Sequence, residues 1–228
     1  MTQKQESRRH MVFLLDVDNT LLDNDQVSAD LKRHLDEEVG TEAQLRYWEI
    51  FEELRQELGY ADYLGALQRF RVDHPHQSHL LAVSSYLVNY PFASRLFPRA
   101  LDVVEHLNGF GETVILSDGD VIFQPLKIER SGLLDAVKRR VLIYIHKEKE
   151  LDDVERRYPA EHYVMVDDKI RILTEIKRSW GSRVTTVFVK QGHYAHAPEV
   201  STFPAADVTI ERIGDLLSYD VSQLRGPR

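Results

Sequence analysis

The stretch that most constrains this chain runs from Met11 to Thr20, Met-Val-Phe-Leu-Leu-Asp-Val-Asp-Asn-Thr. Met11 to Leu15 form an unbroken apolar run that ends abruptly in Asp16, and such a run suits a strand buried on both faces of a parallel sheet. The acids then fall at its carboxyl end. If the extended geometry persists, Asp16 and Asp18 point to the same side, into the crevice where open α/β sheets bind ligands. Carboxylates held at ~4 Å in an effective dielectric of ~20 repel by ~4 kcal/mol, which favours a hard cation such as magnesium with oxygen ligands. Taken alone, Asp16 to Thr20 also reads as a polar turn, because Asp, Asn and Thr are ordinary turn and cap residues.

The rest of the chain has to decide. After Asp25 the period becomes helical: Val27, Leu31, Leu35 and Val39 recur every four residues before Gly40. Thr41 and Gln44 have capping-box spacing for a second helix carrying Leu45, Trp48, Phe51, Leu54 and Leu58. Further helices are predicted over Asp62 to Val72 and Ser78 to Asn89, with no strand pattern between residues 25 and 96. Pro98 fits the first turn of a helix carrying Leu101, Val104 and Leu107. From there apolar runs at Thr113 to Leu116, Val141 to Ile145, Tyr163 to Val166, Val184 to Val189 and Asp207 to Ile210 alternate with helical patterns. One of those patterns is a broken segment that contains Pro125 and is followed by Gly132, one carries the stripe Ile170, Leu173, Ile176 and Trp180, and the last covers Ile213 to Leu217.

This alternation predicts an α/β fold: a Rossmann-like, doubly wound parallel sheet from residues 11–24 and 97–220, interrupted by an all-helical cap at 25–96. Residues 1–10 and 221–228 are expected to be frayed ends.

Composition narrows the partners. The formal charge of −8 disfavours a nucleic-acid backbone. The absence of cysteine excludes disulfides, thiolate metal sites and cysteine nucleophiles. Met11 to Leu15 is too short for a signal peptide, and no run approaches the ~20 apolar residues of a membrane span. The expectation is a cytoplasmic protein, monomeric or homodimeric, with a small-molecule substrate.

Right-handed crossovers bring the carboxyl ends of parallel strands to one edge. Asp16 and Asp18 end the first strand, Ser117, Asp118 and Gly119 follow the second, Lys147 lies just past the third, and Asp167 and Asp168 end the fourth. Carboxylates for a metal and for attack, with a cation and a hydroxyl for phosphate oxygens, are the inventory of phosphoryl transfer. Lys149 is the competing lysine, placed farther from the strand end. His74, His76 and His79 read as a solvated loop, Trp48, Phe51 and Phe70 as core of the helical insert, and Arg46, Arg55 and Tyr63 as groups able to close over an anion.

In this order, Asp-x-Asp-x-Thr, Ser, Lys and Asp-Asp, the chain resembles the haloacid dehalogenase superfamily from about Met11 to Leu217, with an insert similar to the cap of phosphoglycolate phosphatase-like members. The resemblance implies a magnesium-dependent hydrolase of phosphoric monoesters. Asp16 would be the nucleophile that forms an aspartyl-phosphate, and Asp18 the acid and base, its backbone carbonyl reaching the metal. Thr20 would orient Asp16, while Ser117, Asp118 and a backbone N–H at Gly119 would border the phosphate. Lys147 would pair with phosphate and Asp16, and Asp167 and Asp168 would complete the metal site. Members that act on carbon–halogen bonds lack an aspartate at the place of Asp18. Asn19 stands where glycine is frequent, and Asp118 where asparagine is usual. A phosphomutase, a receiver-like signalling module and a non-catalytic phosphate-binding member are the alternative readings.

Overall fold

A computed structural model of the chain describes residues 11–76 and 78–225. β1 (Met11–Leu15), β2 (Glu112–Asp118), β3 (Val141–Tyr144), β4 (His162–Asp167), β5 (Val184–Val189) and β6 (Val208–Ile210) form one sheet in the order β3-β2-β1-β4-β5-β6, with every pairing parallel. β1 is central, and all five of its residues are buried.

Alternation along the strands divides the core into two layers, as the two-residue period of a strand requires. Phe13, Leu15, Ile115, Val164, Val166 and Val187 pack on one face, against α5 (Ala100–Asn108). Val12, Leu14, Val114, Leu116 and Met165 pack on the other, against α8 (Leu151–Arg157) and α9 (Ile170–Trp180).

The first layer continues into the insert, made of α1 (Asn24–Val39), α2 (Thr41–Leu58), α3 (Tyr63–Asp73) and α4 (Leu80–Asn89). Phe51 and Phe70 are buried there, as their helical spacing predicts, whereas Trp48 is half-buried and packs against them, and Tyr47 beside it is buried. The two chain crossings between insert and sheet run side by side: Asp23 N–H donates to the Arg95 carbonyl at 2.8 Å and Phe97 N–H to the Leu21 carbonyl at 2.9 Å.

Several expectations are corrected. The Thr41 capping box does not form: Thr41 already lies inside α2 and its hydroxyl donates to Asp36 Oδ1, while Gly40, at φ 85°, makes the turn between the helices. Pro98 precedes α5, whose N-cap is Arg99. The segment that contains Pro125 is broken, as expected, but not at the proline. It falls in the first turn of α6 (Phe123–Arg130), where a missing N–H removes no intrahelical bond. The interruption comes instead at Gly132, φ 84°, before the short α7 (Leu133–Ala136). β3 stops at Tyr144, leaving Ile145 exposed. The closing helix is a 3-10 turn over Ile213–Ser218. The expected fraying from residue 221 is contradicted at Leu224, which is buried in the first core layer. The expectations for residues 1–10 and 226–228 lie outside the described residues.

Candidate active site

The chain leaves β1 through a tight turn, in which the Val17 carbonyl accepts from Thr20, Leu21 and Leu22. Asn19 sits in it with φ 61°, a left-handed conformation that Gly and Asn tolerate best. Asparagine adds a second function: its Oδ1 accepts from the backbone N–H of Asn24 and of Asp25, at 3.0 and 3.1 Å, fastening the start of α1 to the turn.

This geometry brings the predicted side chains together. Lys147, only 1% exposed, places Nζ 2.5 Å from Asp16 Oδ1 and 2.7 Å from Asp167 Oδ2. Thr20 Oγ1 donates to Asp16 Oδ2 at 3.1 Å and accepts from Asp168 N–H at 3.1 Å, so one hydroxyl couples the ends of β1 and β4. Asp118 Oδ1 accepts from Lys147 N–H at 2.7 Å, which fixes the lysine's backbone against the end of β2. Lys149 is exposed and outside the cluster.

Three placements differ from expectation. The Gly119 N–H donates to the Tyr144 carbonyl at 3.0 Å, extending the β2–β3 pairing, and is therefore spent rather than presented to a phosphate. Gly119 still lines the cleft, and a Cβ there would come within 2.7 Å of Gln124 Cβ. Ser117 Oγ is buried, accepts from Gln124 Nε2 at 2.9 Å and donates to the Asp118 carbonyl at 3.2 Å, so its O–H has to turn from that carbonyl to meet a phosphate oxygen. Arg46 pairs with Glu49 and Glu53 and does not line the cleft, whereas Arg55 and Tyr63 do.

Asp18 stands at the cleft with Lys127 Nζ 2.6 Å from its Oδ1. Sequence reasoning missed Lys127, Gln124 and Lys169. The available signal was polar residues three apart, Gln124 and Lys127, on the buried face of α6 beside Phe123 and Ile128. Lys169 lies over the Tyr194 ring at 4.8 Å, and Tyr194 OH accepts from Arg55 of α2 at 3.1 Å.

Electrostatics single out one gap. Asp168 is fully buried, yet neither carboxylate oxygen has a hydrogen-bond partner among the described residues. Burial, then the charges of Asp167 and Asp16, push its carboxyl well above the ordinary range. Burial likewise raises Asp167 to about 6, against the pull of Lys147. Burial would lower the Lys147 ammonium, but Asp16, Asp167 and Asp118 hold it above its usual value. Carboxylate oxygens of Asp16, Asp167 and Asp168 lie within 4.8 Å of one another. Asp16, Asp18, Asp118, Asp167 and Asp168 face three ammonium groups, Lys127, Lys147 and Lys169, a formal excess of two negative charges. An all-oxygen donor set with this charge fits a hard divalent cation.

A cleft of about 390 Å³ opens beside this cluster, between sheet edge and insert, lined among others by Asp18, Tyr63, Lys127, Lys169 and Tyr194. Among the described residues no helix is long and apolar enough to cross a membrane.

The family model for haloacid dehalogenase-like hydrolases matches residues 10–178. The chain is 61% identical to a protein of Burkholderia xenovorans LB400 described as a haloacid dehalogenase-like hydrolase, with a TM-score of 0.89 over 94% of this chain and 98% of that one. The HAD-hydrolase YfnB of Bacillus subtilis, solved bound to magnesium, is 16% identical, with a TM-score of 0.60 over 92% of this chain and 98% of that one. L-2-haloacid dehalogenase of Xanthobacter autotrophicus, with chloropropionic acid covalently bound, is 18% identical, with a TM-score of 0.58 over 90% and 96%. These two likenesses concern the fold alone. The curated proteins gave no match. With the family model spanning most of the chain, the protein belongs to the haloacid dehalogenase-like hydrolases.

Proposed function

We propose that the protein is a magnesium-dependent phosphatase that hydrolyses a small phosphorylated metabolite through an aspartyl-phosphate on Asp16. The observation that carries this reading is the pair Asp16 and Asp18: one carboxylate held by Lys147 and Thr20, the other lining the cleft. Hydrolysis at a carbon–halogen bond needs the first and has no use for the second, because a halide leaves without a proton. An ester oxygen leaves far more readily when protonated.

In the first step the Asp16 carboxylate attacks phosphorus, the bond from phosphorus to the ester oxygen breaks, and Asp18 gives that oxygen a proton. In the second, Asp18 takes a proton from water as the water attacks the same phosphorus, and Asp16 is released with inorganic phosphate. Lys147 keeps Asp16 oriented and offers positive charge to the phosphoryl oxygens, and Thr20 limits rotation of the nucleophile. Asp16, Asp167, Asp168 and the Asp18 carbonyl would hold the magnesium ion. When bound, the ion offsets the repulsion between a phosphate dianion and the acids that surround it. The cleft is of a size for a small metabolite, and the helical insert above it excludes bulk water. The absence of cysteine suits a cytoplasmic setting.

The test is phosphate release from a panel of phosphorylated metabolites with magnesium, for the wild type and Asp16→Asn. The variant is expected to lose at least ~10³-fold in rate, as the loss of a covalent nucleophile does. Undiminished phosphate release by the variant, or chloride release from 2-haloacids by a wild type that releases no phosphate, would overturn the reading.

A further inference from the structure

Lys127 is 1% exposed and takes no part in the steps above. An ammonium buried to this degree is costly unless it is paired, so its partners explain its presence. Nζ lies 2.6 Å from Asp18 Oδ1 and 2.9 Å from Asn24 Oδ1. One turn earlier on the same face of α6, Gln124 Nε2 lies 2.9 Å from Ser117 Oγ and 3.4 Å from Asp18 Oδ2. Asp18, which lines the cleft, is therefore gripped at one oxygen, while the other carries a single long contact. The grip is itself anchored: Asn24 stands at the start of α1, and its Nδ2 reaches Tyr63 OH of α3 at 3.4 Å.

We propose that Lys127 is a positioning residue for Asp18. It holds Oδ1 so that Oδ2 is presented first to the leaving oxygen and then to the attacking water. The inference rests on the phosphatase reading. It differs from the role of Lys147, which lies against Asp16 and Asp167. It also differs from a cation held for substrate alone, because two of its three N–H donors go to oxygens of the chain. A side chain displaced by ~1 Å from its working position costs ~100-fold in rate, which sets the scale of the effect.

Lys127→Met keeps most of the stem and removes the grip. The readout is kcat/KM with magnesium on two probes: p-nitrophenyl phosphate, whose leaving group needs little protonation, and β-glycerophosphate, whose alkoxide needs it. The expected result is a loss of ~30-fold or more on β-glycerophosphate and less than ~5-fold on p-nitrophenyl phosphate. In an Asp18→Asn background Lys127→Met is expected to change the rate by less than ~2-fold, because its effect passes through Asp18. Equal losses on the two probes, or a full further loss in the Asp18→Asn background, would overturn the assignment. Asn24→Ala, which removes the anchor and leaves Lys127 in place, is expected to show the same contrast at smaller size, and it serves if the methionine variant does not fold. If Asp16→Asn releases phosphate at the wild-type rate, the phosphatase reading itself fails. If Asp16→Asn is inactive and Lys127→Met shows no contrast, the role of Lys127 alone fails.

Discussion

Asp30, in the helical insert, and Asp168, at the sheet edge, are both buried carboxylates, 2% and 0% exposed, and they have been treated in opposite ways. Asp30 is surrounded: Arg95 Nη2 lies 2.5 Å and Arg33 Nη2 2.7 Å away, Gln26 Nε2 donates at 2.9 Å, and the Tyr90 hydroxyl also donates to it. Burial alone would raise its pKa, yet the donors Tyr90, Gln26, Arg95 and Arg33 bring it down to about 2. Among the described residues Asp168 has no donor at either oxygen, and burial and neighbouring acids drive its pKa up. A satisfied buried acid is architecture: Asp30 ties α1 to the segment by which the chain returns to the sheet. An unsatisfied one costs stability in the metal-free protein, a cost that the proposed divalent ion would offset.

The comparison breaks most visibly at Asp30. Asp30→Asn is expected to lower the unfolding free energy by about 3 kcal/mol in urea titrations, because the charges of Arg33 and Arg95 lose their partner. A change below about 0.5 kcal/mol would mean that the cluster is solvated and not structural.

The same residue gives a pH dependence. Its folded pKa is depressed, so its contribution is fully present above the unfolded value of 3.8 and is lost as pH falls towards about 2. Over that window the wild type is expected to lose ~2 kcal/mol more than Asp30→Asn. Parallel pH profiles for the two proteins would contradict the shift.

The smallest effect has the opposite sign. Asp168→Asn is expected to stabilise the metal-free protein by about 1 kcal/mol, since the amide carries no charge to be buried. Destabilisation of similar size would show that Asp168 has protein partners after all.

Much of this site is written in short stretches of sequence. Asp16, Asp18, Asp167 and Asp168 are legible because each follows an apolar run long enough to identify a buried strand, and the parallel topology then places them on one edge. Lys147 was legible only through its distance from the end of β3. Lys127 and Gln124 were not. Their burial depends on α6 packing beneath the turn that follows β1, and Pro125 disguised the helix by suggesting a break where the first turn needs no N–H. The Gly119 N–H was misassigned for a related reason: one further residue of strand pairing, with Tyr144, consumes it. The Thr41 capping box failed because Gly40 makes a turn so short that Thr41 is already helical. Local pattern identifies elements; which polar atoms remain free is settled by tertiary contacts.

The account turns on whether Asp168 and its neighbours accept a divalent ion, and calorimetric titration of magnesium into metal-free protein measures that directly. The wild type is expected to show one saturable site and to gain about 2.7 kcal/mol of unfolding free energy at a hundred times the dissociation constant, whereas Asp168→Asn should bind at least ~100-fold more weakly. A wild type without saturable binding, or a variant that binds as tightly, would contradict it.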